Sequence, residues 1–170
     1  MKKKIAFVFP QKDFKEAEFK KISQFFKYYS VELANISATR NDAVADSGLA
    51  ITPDLAIPEV EVDDFFGLVL IGSPQSYGLP DHDQIIDLIQ NFKKGRKVMG
   101  AMGFATGILA EAGVVIGKTV TGSLAEEQNL LTRGAEYTGM ECEVDGNIVT
   151  ARDEKSAEEF VKKIAYLLEV

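Results

Sequence analysis

The chain has 170 residues, of which 46% are apolar and 26% charged, so it is long enough for one domain with a substantial core and too apolar for a disordered chain. Its net charge of −7 argues against nucleic acid or an anionic membrane as a partner. One Cys and one His exclude an intramolecular disulfide and a zinc site of the usual Cys/His type, and a lone free thiol fits a reducing cytoplasm.

We expect neither a signal peptide nor a membrane-spanning helix. The apolar run after the basic residues 2–4 ends too early for a signal peptide. The least polar stretch, residues 98–117, is interrupted by glycines and Glu111, so it predicts a buried strand, a sharp turn and a buried helix.

Strand and helix patterns alternate in the first part of the chain. Residues 4–9 form a short apolar run that is typical of a strand buried on both faces. Asp13, with Glu16 at the capping-box spacing, predicts the start of a helix. The apolar face of this helix consists of Phe19, Ile22, Phe26 and Tyr29. Further strands are predicted at residues 31–36 and 48–52.

The pattern continues to the end of the chain. Strands are predicted at residues 67–71 and 97–102, and the first of them runs into a loop that lasts to Pro80. Four helices are predicted in this part of the chain. The first is ended by Gly95 and has an apolar face of Ile85, Ile86, Ile89 and Phe92. The others are predicted at residues 106–112, between Ser123 and Gly134, and after the cap residue Ser156. Asp145-Gly146 between two short strand patterns predicts a β-hairpin.

Strands and helices that alternate at roughly thirty-residue spacing predict βαβ units and a parallel sheet covered on both faces. Ligands of such sheets bind beyond the carboxyl ends of the strands. We therefore expect the functional residues at positions 10–13, 72–74 and 102–106.

The first two loops carry little specific chemistry. Residues 10–13 lack the hydroxyl residues of a flavodoxin phosphate loop and the G-x-G-x-x-G pattern of a dinucleotide fold. Asp13 is either a helix cap or an acid at the rim of a pocket. Gly72 and Ser73 either permit close backbone approach to an oxyanion or form an ordinary turn.

The third loop has the form of a nucleophile elbow. Residues 100–106 run from a buried strand directly into a helix, and the position where such a turn would present a Ser or Cys is Gly103. Gly103 has no side chain and cannot act as a nucleophile. We predict that it retains the turn with a positive φ, which glycine adopts without strain.

Several segments, in their order and spacing, resemble the ThiJ/PfpI superfamily. The matching segments are residues 5–9 with 13–16, 68–73, 101–106, 108–113, 117–121, 134–137 and 144–152. The resemblance implies one domain over residues 1–170 with a flavodoxin-like, three-layer α/β/α fold, a mostly parallel sheet and a C-terminal β-hairpin. It also implies a homodimer.

The departures from the family lie at its active site. At the position of the family's elbow Cys, this chain has Gly103, and at the position of the adjacent His it has Phe104. At the position of a second His, which some family members use, it has Gly122. The acid of the first loop becomes Asp13, where Glu is usual. The protease, deglycase and glyoxalase-type activities of the family depend on the missing thiol, so we assign no catalytic residue. The resemblance defines a candidate pocket formed by Asp13, Gly72, Ser73, Gly103, Phe104 and Gly122.

No other residue replaces the thiol convincingly. Cys142 in the predicted hairpin is interpreted as structural and His82 as a solvated loop residue. The Ser73 and Thr106 hydroxyls lack a predicted base, and an unactivated hydroxyl is a weak nucleophile.

The sequence therefore predicts a cytoplasmic, non-catalytic family member that binds a small molecule or acts as a scaffold, without a cofactor or a metal. In the scaffold form, Phe104 would close the pocket. The alternative is a hydrolase or lyase that uses Asp13 as acid or base on a small carbonyl or amide compound. An open polar cavity above Gly103 would favour ligand binding or catalysis.

Overall fold

The computed structural model describes residues 1–75 and 81–170, and these ranges contain twelve strands and five helices. The strands are β1 (Lys3–Val8), β2 (Lys12–Phe14), β3 (Val31–Ser37), β4 (Ala43–Ala45), β5 (Ala50–Ile51), β6 (Leu55–Ala56), β7 (Gly67–Leu70), β8 (Val98–Met102), β9 (Thr119–Val120), β10 (Glu136–Tyr137), β11 (Cys142–Asp145) and β12 (Ile148–Ala151). The helices are α1 (Glu16–Phe26), α2 (Asp81–Lys94), α3 (Ala105–Glu111), α4 (Glu127–Thr132) and α5 (Ala157–Leu167). Short 3₁₀ helices cover Ile57–Glu59, Val62–Asp64, Leu124–Glu126 and Glu154–Ser156.

Seven of the strands form the central sheet, in the order β11-β12-β8-β7-β1-β3-β6. Every neighbouring pair is parallel except β11 and β12, which form the predicted antiparallel hairpin. All residues of β7 and β8 are buried, as expected for parallel strands covered on both faces. Two small sheets, β10-β9 and β2-β4-β5, lie outside the central one.

The core is divided between the two faces of the sheet. In β1, Ile5 and Phe7 contribute to one apolar cluster and Ala6 and Val8 to the other, because successive side chains of a strand point to opposite faces. The first cluster contains side chains of α1 and α5, and the second contains side chains of α2, α3 and α4. This arrangement confirms the predicted flavodoxin-like, three-layer α/β/α fold.

The predicted start of the first helix is wrong. Helix α1 begins at Glu16 with Lys15 as its N-cap residue, and no side chain caps it. Asp13 instead lies in β2, whose backbone pairs with β4, and its φ is +59°. Ladder hydrogen bonds to a distant strand therefore outweigh the local capping signal of Asp13.

The structure confirms some of the other residues predicted to begin or end a helix, and one of them does not cap its helix. The side chain of Ser123 caps a 3₁₀ turn by accepting a hydrogen bond from the amide of Ala125, and Gly134 follows α4 as predicted. Ser156 lies at the N-cap of α5, but its hydroxyl has no hydrogen-bond partner within the described residues. The end of the predicted loop up to Pro80 lies outside the described residues.

The carboxyl ends of β1, β7 and β8 meet at one edge of the sheet, so the segments that follow these three strands converge there. Among the helices in the described parts of the chain, we find none with the length and apolar character needed to cross a bilayer.

Candidate functional site

Gly103 forms a tight turn between β8 and α3. Its φ is +62°, which confirms the predicted positive value. Its amide donates a hydrogen bond to the carbonyl of Ala151 at 3.0 Å. Its carbonyl accepts one from the Thr106 hydroxyl at 2.9 Å and one from the Ser123 amide at 3.2 Å. The turn is therefore held by contacts to a neighbouring strand, its own helix and a distant loop.

The carboxyl group of Glu18 occupies the space next to Gly103. A Cβ atom added to Gly103 would lie 3.0 Å from Glu18 Oε2 and 3.2 Å from Oε1, closer than ordinary van der Waals contact. The side chain of Glu18 is almost fully enclosed, since the residue is only 3% exposed. Its Oε1 atom has no hydrogen-bond partner within residues 1–75 and 81–170.

Burial controls the charge of this carboxyl group. Desolvation raises the pKa of Glu18 to about 8, while Lys15 nearby opposes the shift. The carboxylates of Glu154, Asp153 and Asp46 raise the pKa further. Glu18 is therefore mainly protonated at neutral pH and presents a hydroxyl donor as well as a carbonyl acceptor.

The acid beside the turn is thus Glu18, and the prediction of Asp13 in this place is wrong. Asp13 lies in β2 and is exposed, so it is not the carboxyl group that borders Gly103. The sequence does contain a signal for Glu18. It is an acidic residue four positions before Ile22 and one before Phe19, on the apolar face of α1.

Gly72 lies close to the start of α3, directly after the Gly103 turn. A Cβ atom added to Gly72 would lie 2.9 Å from the amide nitrogen of Ala105, so only glycine permits this approach of β7's end to the start of α3. The carbonyl of Gly72 accepts a hydrogen bond from the Lys15 amide at 3.3 Å, which ties the start of α1 to the same place. Ser73 is buried.

Gly122 also borders the site, because a Cβ atom there would overlap the hydroxyl of Thr106. The carbonyl of Gly122 accepts a hydrogen bond from the Tyr137 hydroxyl at 3.0 Å. Since the Thr106 hydroxyl donates to Gly103, it is engaged in holding the turn. Phe104 is the N-cap residue of α3 and remains partly exposed.

The remaining candidates are Cys142, which pairs with Ala151 across the hairpin, and His82. Cys142 is partly buried in β11, and burial together with Glu159 raises the pKa of its thiol to about 11, so the thiol stays protonated at neutral pH. His82 belongs to α2 and not to the predicted loop, and its Nε2 lies 3.4 Å from Oε2 of Glu111. Within the described ranges, no three His, Cys, Asp or Glu side chains are grouped to hold a metal ion.

Two archaeal proteins are similar to this chain in sequence. An uncharacterized protein of Methanocaldococcus jannaschii is 29% identical over 169 residues, which cover 98% of this chain and 82% of that protein. Deglycase TK1284 of Thermococcus kodakarensis is 28% identical over 116 residues, covering 68% of this chain and 70% of that one.

The fold has a close counterpart among solved structures. The ThiJ/PfpI domain protein from Brachyspira murdochii superposes with a TM-score of 0.93 at 24% identity, covering 99% of this chain and 98% of that chain. The model of the DJ-1/PfpI family matches residues 3–167, nearly the whole chain. The chain therefore belongs to the DJ-1/PfpI family.

Proposed function

We propose that this chain is a single-domain DJ-1/PfpI-family protein that performs no thiol chemistry and binds a small polar molecule at the Gly103 turn. The observation that carries the proposal is the position of Glu18. Both oxygens of its neutral carboxyl group lie within 3.2 Å of the point where a side chain at position 103 would begin, so an acid borders the turn at a position that carries no nucleophile.

Among the described residues, neither Thr106 nor Cys142 is activated as a nucleophile. Nucleophilic catalysis needs an activated thiolate, hydroxyl or amine next to a base. The hydroxyl of Thr106 is engaged with the carbonyl of Gly103, and the thiol of Cys142 is protonated and belongs to β11. These contacts support a non-catalytic role.

The unsatisfied hydrogen-bonding capacity of the Glu18 carboxyl group supports ligand binding over a purely structural role. A buried carboxyl oxygen without a hydrogen-bond partner is costly, and Oε1 of Glu18 is such an atom within the described residues. A protonated carboxyl group can both donate and accept, so it suits a ligand with a carbonyl or amide group. Phe104 remains partly exposed, so its ring is available at the edge of the same turn.

The test is turnover by the purified wild-type protein, with methylglyoxal and a peptide amide as substrates. We expect no turnover above that of a mock purification. The variant Gly103→Cys, which places a thiol at the turn, is assayed in parallel to test whether this scaffold supports thiol chemistry. Turnover by the wild type that is abolished by Glu18→Gln would contradict the non-catalytic proposal.

Such a result would favour a second candidate, a hydrolase or lyase that uses Glu18 as general acid on a small carbonyl or amide compound. The observation in favour is that Glu18 is buried and has a pKa of about 8, close to the working range of a general acid. Its rate should fall as pH rises through about 8, where Glu18 ionises. Asp13→Asn is the matched control, because Asp13 is exposed and should leave the rate unchanged.

A further inference from the structure

A cavity lies at the edge of the sheet where β8 and β12 begin, at the end of β8 opposite to Gly103. Its volume is about 360 Å³, within the range of small-molecule sites. Four cationic residues line it, namely Lys93, Arg96, Lys97 and Lys118. The buried residues Met99, Val114 and Ile148 form an apolar floor.

The charge of this cavity contrasts with that of the chain. The protein carries a net charge of −7, yet no Asp or Glu is among the described residues that line the cavity. Lys118 has a carboxylate partner beside the cavity, Asp145, at 3.7 Å. In the described part of the chain, no ion pair involves Lys93, Arg96 or Lys97. The Nζ atom of Lys97 lies over the ring of Phe66, 5.9 Å from its centroid, so the cationic groups of Lys93 and Arg96 are the ones that no described carboxylate or ring engages. Their positive charge favours an anion in the cavity.

The backbone holds Arg96 in an uncommon conformation. Its φ is +54°, a left-handed value that costs free energy for any residue with a side chain. The side-chain amide of Asn147, which also lines the cavity, donates a hydrogen bond to the carbonyl of Arg96 at 3.1 Å. The preceding residue is Gly95, but the left-handed position falls on Arg96. The turn therefore fixes where the Arg96 side chain leaves the backbone, at the rim of the cavity.

We propose that this cavity binds a small organic phosphate that has an apolar or aromatic body. The guanidinium of Arg96 can donate two parallel hydrogen bonds to phosphate oxygens, and Lys93 and Lys118 add positive charge around them. The apolar floor is suited to the body of the ligand and not to inorganic phosphate alone. The site is separate from the Gly103 turn and does not depend on the function proposed for it.

The experiment is isothermal titration calorimetry of the full chain with 1-naphthyl phosphate, inorganic phosphate and 1-naphthol. We expect 1-naphthyl phosphate to bind at least about tenfold more tightly than either of the other two, because only it engages both the cations and the floor. Its affinity should also fall as the salt concentration rises.

A pair of double variants locates the site. Arg96→Gln with Lys93→Gln should weaken the binding of 1-naphthyl phosphate about tenfold or more. Lys21→Gln with Lys162→Gln removes the same charge from exposed positions on α1 and α5, and should leave binding within about twofold. Circular dichroism checks that all variants are folded.

Three results would overturn the proposal. The first is equal binding by the two double variants, which would show that total charge and not this cavity attracts the ligand. The second is equal affinity for inorganic phosphate and 1-naphthyl phosphate. The third is no measurable binding of 1-naphthyl phosphate at low salt.

Discussion

Replacing Gly103 by Ala tests whether the carboxyl group of Glu18 fills the space at the turn. The substitution has two costs. A residue with a side chain in the left-handed conformation, here with φ at +62°, costs about 1–2 kcal/mol. The new Cβ atom would also lie 3.0 Å and 3.2 Å from the two carboxyl oxygens of Glu18, and overpacking of a buried site adds about 1–2 kcal/mol.

Gly113→Ala supplies the matched control for this measurement. Gly113 also has a positive φ, +75°, but no heavy atom lies within 4 Å of the position its Cβ would take. Its replacement should therefore cost only the backbone part, about 1–2 kcal/mol. We expect Gly103→Ala to destabilise the protein by about 2–4 kcal/mol, which lowers Tm by about 4–16 °C at about 2–4 °C per kcal/mol.

Urea unfolding followed by circular dichroism measures both variants, together with Gly103→Ala in a Glu18→Ala background. In that background the carboxyl group is absent, so the cost of Gly103→Ala should fall to that of Gly113→Ala. If Gly103→Ala costs no more than Gly113→Ala in the wild-type background, the carboxyl group of Glu18 does not fill the space at the turn, which would refute the proposed packing of the site.

Three further predictions concern charge, reactivity and assembly. Glu18 has a folded-state pKa of about 8 and an ordinary value of 4.5, so its ionisation at higher pH destabilises the folded protein. The free energy of unfolding of the wild type, relative to that of Glu18→Gln, should therefore fall by on the order of 3–5 kcal/mol as pH rises from 4.5 to 8. Urea unfolding at several pH values measures this difference, and a difference that does not change with pH would contradict the prediction. In Gly103→Cys, the new thiol should react faster with iodoacetamide at pH 7 than Cys142, whose pKa is raised to about 11, as mass spectrometry of the labelled peptides can show. Light scattering at micromolar concentrations should give the mass of a homodimer, and a monomer mass would refute that expectation.

The sequence was sufficient to predict the layers of the fold. Strand β8 and the turn at Gly103 were recognisable because a buried apolar run passes directly into a helix, and such a pattern is local. The hairpin of β11 and β12 was recognisable for the same reason, since Asp145-Gly146 defines its turn.

The acidic residue next to Gly103 could not be predicted from local sequence patterns. Asp13 follows the first strand closely and has the residue type of a helix cap, but pairing between β2 and β4 removes it from the helix. Glu18 approaches Gly103 only because the first turn of α1 packs beside the end of β8, which is a tertiary effect. An acidic residue on the apolar face of an amphipathic helix is a sign that would have indicated Glu18.

The two edges of the central sheet limit how this protein can assemble. One edge is β6, which has only two residues and runs into a 3₁₀ helix containing Pro58. The other edge is β11, which carries Glu143 and Asp145. Short strands, proline and charged side chains all discourage a second chain from adding a strand. A homodimer of this protein should therefore form through helices and loops, and a continuous intermolecular sheet is disfavoured at both ends.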